Sequence, residues 1–241
     1  MVENWYKNWF GNDYLTVYAH RDDHEALQLI ALIQKQIELK PNARILDVCC
    51  GQGRHAIHLA QLGYNVFGID LSRTLLEVAK FQNEIGHAYF IQSDMRWLPV
   101  KNTFDLVLNL FTSFGYFEND QENQRVFLEF RSALNSSGNF VFDYFNSAHV
   151  IENLVPFHKE QIGDVVVEQE RTISGSRVKK RIHVMREGKT STFYESVKLY
   201  SPKQIRSMLD KAGLKVKHIF GDYDGSPLKE NSSRMIVFGG R

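Results

Sequence analysis

Three acids and a glycine-rich turn carry most of the chemistry legible in this sequence. The run Asp47-Val48-Cys49-Cys50-Gly51-Gln52-Gly53-Arg54-His55-Ala56 follows the apolar stretch ARILDV and leads into HAIHLAQLG, a helix-forming segment. Gly51 and Gly53 let the backbone approach a ligand closely where a strand hands over to a helix, which makes the turn a nucleotide-cofactor site. The spacing Gly51-x-Gly53-x-x-Ala56 also fits a dinucleotide fingerprint, with Asp70 at the distance of a ribose-binding carboxylate. Asp47 separates the two readings. A carboxylate at the mouth of the turn repels a pyrophosphate docked on the helix N-terminus but suits an amine or sulfonium cation. Asp70 ends the second strand, where its two oxygens can accept from both ribose hydroxyls. In Ser93-Asp94-Met95, after the third strand, Asp94 can accept from an adenine amino group.

The elements that must position these residues follow from hydrophobic periodicity. Ala26, Leu27, Ile30, Leu32, Ile33 and Ile37 recur at helical spacing between Asp23 and Leu39, so residues 1–40 comprise an N-terminal segment and a helix leading into the core. Strand and helix then alternate. NVFGID precedes SRTLLEVAKFQNEIG, with Ser72 as N-cap and Gly86 as stop. HAYFIQ is a third strand, FDLVLNLF a fourth, NQRVFLEFRSAL a helix, and NSSG a turn into the fifth strand NFVFDYF. Five strands joined by helical crossovers imply a doubly wound, mostly parallel sheet with helices on both faces. From 155 to 200 the pattern changes to DVVVEQERTI, RVKKRIHVM and STFYESVKLY, an antiparallel meander inserted between strand five and the last helix. SPKQIRSMLDKAG is that helix, and LKVKHIFG and SRMIVFGG complete a seven-stranded sheet. The whole of 1–241 reads as a single α/β domain.

The segments ILDVCCGQGRH, FGIDLS, SDMRWLP and FDLVLNLFTSFGYF resemble the cofactor-binding motifs of class I, Rossmann-like S-adenosylmethionine-dependent methyltransferases, of the bacterial small-molecule type. The late SPKQIRSMLDKAGL and SSRMIVFGG resemble their closing helix and strands. The resemblance implies that S-adenosyl-L-methionine is the cofactor. Asp47, Gly51 and Gly53 would cradle its methionine and ribose portion, Asp70 would bind ribose, Asp94 and Met95 would frame adenine, Asn109 and Leu110 would line the floor, and Cys49 and Leu71 would also belong to the cofactor site. Cys49 stands where the family pattern has its first glycine.

In an open α/β sheet the ligand crevice lies beyond the carboxyl ends of the strands, which brings Asn109–Phe117 and Asp143–Asn146 to the acceptor. Phe114, Tyr116 and Tyr144 are candidates there, with Tyr116, Asp143, Tyr144 or a histidine as conceivable bases. No catalytic residue is singled out. Trp5, Tyr6, Trp9, Phe10, Tyr14 and Tyr18 form an aromatic segment that can fold over the pocket as a lid, with Tyr14, Tyr18 and Arg21 as its candidate contacts. Arg177, Lys179, Lys180 and Arg181 read as a solvated hairpin face. His55 and His58 share a helix face without a third ligand, so no metal is expected.

Composition narrows the partners. With 29 basic and 28 acidic residues the net charge is +1, which gives no global field for nucleic acid. No segment approaches the roughly 20 apolar residues of a membrane span, and the N-terminus lacks a signal peptide's apolar run, so a cytoplasmic protein is expected. The adjacent Cys49 and Cys50 would form a strained disulfide and read as small packing residues. The sequence therefore predicts methyl transfer to oxygen or nitrogen of a small-molecule acceptor, by a monomer or homodimer. Three alternatives stay open: an NAD(P)-dependent oxidoreductase, an RNA or protein methyltransferase, and a cofactor-binding protein without turnover. An acidic-Pro-Pro-Tyr-like motif would mark the second, and the chain has Asn109-Leu110-Phe111-Thr112 in its place.

Overall fold

Near-continuous burial along the central strands, on both faces of the sheet, decides the architecture of the computed structural model, which describes residues 4–19, 23–83 and 86–241. Short helices α1 (Tyr6–Trp9) and α2 (Asn12–Val17) precede α3 (His24–Gln36). Then come β1 (Arg44–Val48), α4 (Arg54–Gln61), β2 (Asn65–Asp70), α5 (Arg73–Gln82), β3 (Ala88–Gln92), β4 (Phe104–Asn109), α6 (Asp120–Ala133), β5 (Leu134–Phe145) and α7 (Ser147–Glu152). The inserted strands are β6 (Phe157–Ile162), β7 (Val165–Ser174), β8 (Arg177–Arg186) and β9 (Lys189–Lys198). The chain closes with α8 (Pro202–Lys211), β10 (Lys215–Phe220) and β11 (Arg234–Gly240).

The main sheet has seven strands in the order β10-β11-β5-β4-β1-β2-β3, with β11 antiparallel to both of its neighbours and the rest parallel. Strand order reverses between β1 and β4, and a crevice opens at such a switch point. Successive side chains on a strand face opposite ways, and the core divides accordingly. Ile45, Leu106, Leu108 and Val141 pack with α3, α4 and α5, whereas Leu46, Val107, Phe140 and Phe142 pack with α6 and α8. Trp5, Trp9, Val165, Val167, Ile182 and Val184 join the second group, so the N-terminal aromatics and the inserted sheet share one side of the main sheet.

Side-chain caps fix the helix starts. Ser72 Oγ accepts from Leu75 N at 3.1 Å, and Ser201 with Gln204 forms a reciprocal capping box. Three details depart from the sequence reading. Helix α5 stops at Gln82, short of Gly86. NSSG is absorbed into β5 as an irregularity: Phe104 pairs with Leu134 and Leu106 with Asn139, so β5 advances five residues while β4 advances two. Gly138 permits this, since a Cβ there would lie 2.9 Å from the Phe104 carbonyl oxygen. The insertion holds four strands rather than three. Its extra edge strand β6, FHKEQI, is mostly exposed and therefore lacks apolar alternation.

Candidate active site

Beyond β1 the chain turns through three residues with positive φ: Cys49 (64°), Gly51 (56°) and Gly53 (84°). Hydrogen bonds from Cys50 N to Ile69 O and from Gly53 N to Cys50 O, both 2.9 Å, hold the turn. Gly51 and Cys49 line a cavity of about 690 Å³, inside the range of roughly 300–1,000 Å³ common to small-molecule sites. Gly53 does not, which corrects the expectation of a ligand contact there. Its Cα faces Phe90 and Ala79, and an added Cβ would lie 2.9 Å from the Phe90 ring and 3.1 Å from the Ala79 methyl. Gly53 lets α4 pack tightly. Burial, then the neighbouring carboxylates, pushes the Cys49 and Cys50 thiols up and keeps them protonated.

The three acids stand on the cavity wall in different states. Asp47 is 2% exposed and its Oδ2 has no hydrogen-bond partner among the described residues. Burial, then Asp70, pushes its carboxyl up to about 7. Asp70 accepts from Gly51 N at 2.9 Å through Oδ2 and from Ser72 N at 2.8 Å through Oδ1, so each oxygen keeps a lone pair for a ligand. Asp94 is more committed than the sequence reading implies. Burial acts to raise it, but Arg96 outweighs that and holds it low by donating from Nη2 to Oδ2 at 2.6 Å and from Nε to Oδ1 at 3.0 Å. Met95 and Leu71 line the cavity nearby, with Met95 Sδ 3.5 Å from Cys49 Sγ.

After β4 the expected floor divides. Leu110 lines the cavity, but Asn109 is fully buried and turned away: its Nδ2 donates to Val48 O at 3.0 Å and Ser113 O at 3.1 Å, tying β1 to the next loop. Phe111 and Thr112, both at positive φ, also line the cavity. Asp143 holds them there. Its Oδ2 accepts from Phe111 N at 2.9 Å and from Tyr223 Oη at 3.0 Å, while Oδ1 accepts from Arg234 at 2.9 and 2.7 Å. With those four bonds and no exposure, Asp143 is a brace and not a base.

Phe114 and Tyr144 are corrected in the same way. Phe114 is fully buried and its ring centroid lies 4.7 Å from that of Phe127 and 5.1 Å from that of Phe142. Tyr144 is fully buried and its hydroxyl donates to Lys198 O. Neither lines the cavity, whereas Tyr116, Tyr14 and Tyr18 do. Trp5 stands 4.9 Å from Tyr116, Phe10 5.1 Å from Tyr14, and Tyr14 4.8 Å from Tyr18, centroid to centroid. Arg21 lies outside the described residues.

The inserted sheet supplies residues that the sequence reading misses. Lys180 and Glu195 line the cavity instead of facing solvent. Glu195 Oε1 accepts from Trp9 Nε1 at 2.6 Å and Tyr18 Oη at 3.2 Å, and Lys180 Nζ lies 3.0 Å from Oε2. Burial works against the Lys180 charge, but Glu195 and Tyr18 hold it above the usual lysine range. Arg177 is buried too, donating to the carbonyls of Gly115, Tyr116, Phe117 and Ser196. His55 also lines the cavity with an unpartnered Nε2, and burial, then Arg54, pushes it down to about 3, so its ring is neutral. A lone histidine beside an arginine gives no sequence signal of this kind.

Residues 45–138 match the family model described as methyltransferase domain. Over that stretch the chain is similar to a methyltransferase domain, and its seven-stranded sheet matches the fold of methyltransferase neighbours. Among relatives, glycine/sarcosine N-methyltransferase of Halorhodospira halochloris is 30% identical over 49% of this chain. That match spans 46% of the relative, so the chain covers about half its length. The cypemycin N-terminal methyltransferase of Streptomyces is 25% identical over 80% of this chain and 81% of that protein. In the fold, an S-adenosylmethionine-dependent methyltransferase from Clostridium acetobutylicum superposes with a TM-score of 0.81 at 19% identity, covering 94% of this chain and 95% of that one. Among the described residues no helix is long and apolar enough to cross a membrane.

Proposed function

We propose that the cavity binds S-adenosylmethionine and that the protein transfers its methyl group to oxygen or nitrogen of a small-molecule acceptor. The observation that carries the reading is the buried, unpartnered Asp47 Oδ2 beside the Gly51 turn. An unsatisfied carboxylate oxygen in a buried wall calls for a cationic donor, and a pyrophosphate there would be repelled. That argues against the nicotinamide alternative. Asp47 would hold the amino group, Asp70 the ribose hydroxyls, and Met95 with Leu71 the adenine faces. When bound, S-adenosylmethionine supplies a methyl carbon that an acceptor lone pair displaces from cationic sulfur. The neighbouring Phe10, Tyr14 and Tyr116 exclude water and present ring faces to positive charge. Nitrogen is the favoured acceptor atom, because the first of the relatives above is named an N-methyltransferase.

The test is calorimetric titration of S-adenosylmethionine and S-adenosylhomocysteine into wild type, Asp70→Ala and Asp47→Asn, with NADH and NADPH as controls. Micromolar adenosyl binding, of the order of −8 kcal/mol, weakened in both variants is the expected result. Nicotinamide binding without adenosyl binding would overturn the reading. A screen of amines then addresses the acceptor.

A further inference from the structure

One face of the inserted sheet looks into the cavity, and one of its cations has no carboxylate partner among the described residues. Register sets Arg171 opposite Lys180 and Lys180 opposite Glu195, and all three line the cavity. The row reads cation, cation, anion. Like charges directly opposite one another on a sheet face are unfavourable, so the pair Arg171–Lys180 needs an anion on each side. Lys180 has its own in Glu195, at 3.0 Å. Arg171 has no carboxylate partner among the described residues: it donates to Gln169 Oε1 at 2.5 Å and reaches Val155 O at 3.5 Å, both neutral. Glu160, a carboxylate on the same face, connects to it only through the Gln169 amide, which donates to Glu160 Oε1 at 3.3 Å.

Arg171 N donates to Pro156 O at 2.7 Å, and His158, across from Gln169, lies with its Nε2 3.9 Å from Glu160 Oε2, so the Glu160 carboxylate faces His158 and not Arg171. Val178 and Val197 continue the face as apolar lining. We propose that Arg171 forms a subsite for an oxyanion carried by the methyl acceptor, a carboxylate or a phosphoryl group. Either fits the planar guanidinium through two parallel hydrogen bonds. The subsite rests on reading the cavity as a methyl-transfer site, and it narrows the acceptor class to anionic or zwitterionic molecules.

The experiment titrates inorganic phosphate, pyrophosphate and acetate into the full chain saturated with S-adenosylhomocysteine, which blocks adventitious anion binding at the glycine turn. Wild type is compared with Arg171→Gln and Arg171→Lys. Saturable binding to wild type is expected, weakened roughly tenfold or more in Arg171→Gln and less in Arg171→Lys, with adenosyl affinity changed less than about twofold. The tighter of acetate and the phosphates names the acceptor's group. The subsite is overturned by absence of anion binding in wild type, by equal binding in Arg171→Gln, or by parallel loss of anion and adenosyl ligand in that variant. Failure of wild type to bind S-adenosylhomocysteine instead sinks the methyl-transfer reading, and the anion titration is then read on the unliganded chain.

Discussion

Arg177 reaches from the inserted sheet to Gly115, donating from Nη2 to its carbonyl oxygen at 3.1 Å. The same guanidinium serves the carbonyls of Tyr116 and Phe117 at 3.0 and 3.1 Å, so a buried cation fixes the backbone on which the cavity-facing Tyr116 ring is mounted. Gly115 makes room for this, since a Cβ there would lie 2.8 Å from the Tyr144 hydroxyl. Arg177→Met leaves several buried acceptors without donors and should cost about 2–4 kcal/mol in urea unfolding. It should also raise the acceptor KM while leaving S-adenosylhomocysteine affinity within about twofold, because the turn at Gly51 is untouched. Arg177→Lys restores charge but not the fork, and should recover only part of the stability.

Asp47 makes stability and ligand binding respond oppositely to pH. Its folded pKa of about 7 lies above the unfolded value of about 3.9, so this group's contribution is full below about pH 4 and is lost as pH rises through about 7. Asp47→Asn removes that loss, and denaturant titrations at about pH 5 and pH 8 should show a flatter profile than wild type. A cationic ligand needs the ionised carboxylate, so wild-type affinity for S-adenosylhomocysteine should climb as pH rises through about 7, and the variant should bind weakly at both values. Equal affinity of wild type across that range would contradict the assignment of Asp47 to the amino group.

Gly53 tests the division of labour in the glycine turn. Gly53→Ala forces a left-handed alanine against Phe90 and Ala79 and should destabilise the fold by about 1–3 kcal/mol. Gly53→Ala with Phe90→Leu relieves the contact but not the backbone strain, and thermal unfolding should place it between the two. Adenosyl affinity in the folded fraction should change little.

Tyr144 and Tyr116 differ by two ångström-scale facts, where the hydroxyl points and whether the cavity reaches it. Tyr144→Phe deletes one buried hydrogen bond to Lys198 O, at a cost of about 1 kcal/mol, with steady-state rates unchanged within about twofold. Tyr116→Phe alters the cavity wall and should shift kcat or the acceptor KM by more than about threefold. Reversal of that order would return Tyr144 to the site.

How far the site was legible depends on what kind of rule located each residue. Asp47, Asp70 and Asp94 sit at carboxyl ends of adjacent strands, and parallel topology sends all such ends to one crevice, so sequence position was enough to gather them on one wall. Which of two glycines meets the ligand was not legible, because spacing is silent on which way a left-handed residue turns its Cα. Phe114 and Tyr116 follow two left-handed residues, Phe111 and Thr112, and no periodicity carries through such a loop. Arg177, Lys180 and Glu195 were hidden for a different reason. The alternation of Lys180 and Glu195 looks like a solvated hairpin until strand register is known and the packing of that sheet over the main one turns their row inward, while Arg177, of opposite parity, is buried at the start of β8. The partnering of Asp94 with Arg96, two residues on, was open to view as a short-range pair of opposite charge.

The bonds that close the cavity join distant parts of the chain: Trp9 to Glu195, Tyr18 to Glu195 and Lys180 to Tyr18. A ribosome delivers residues 5–18 long before 180–195, so Trp9 has no Phe193 or Glu195 of β9 to pack against until most of the polypeptide has emerged. The ligand chamber is accordingly assembled late, around a sheet whose first strands can already pair. A nascent chain stalled before residue 180 would carry the Trp9 end of that segment uncovered, and it is this end that a holdase chaperone would be expected to grip.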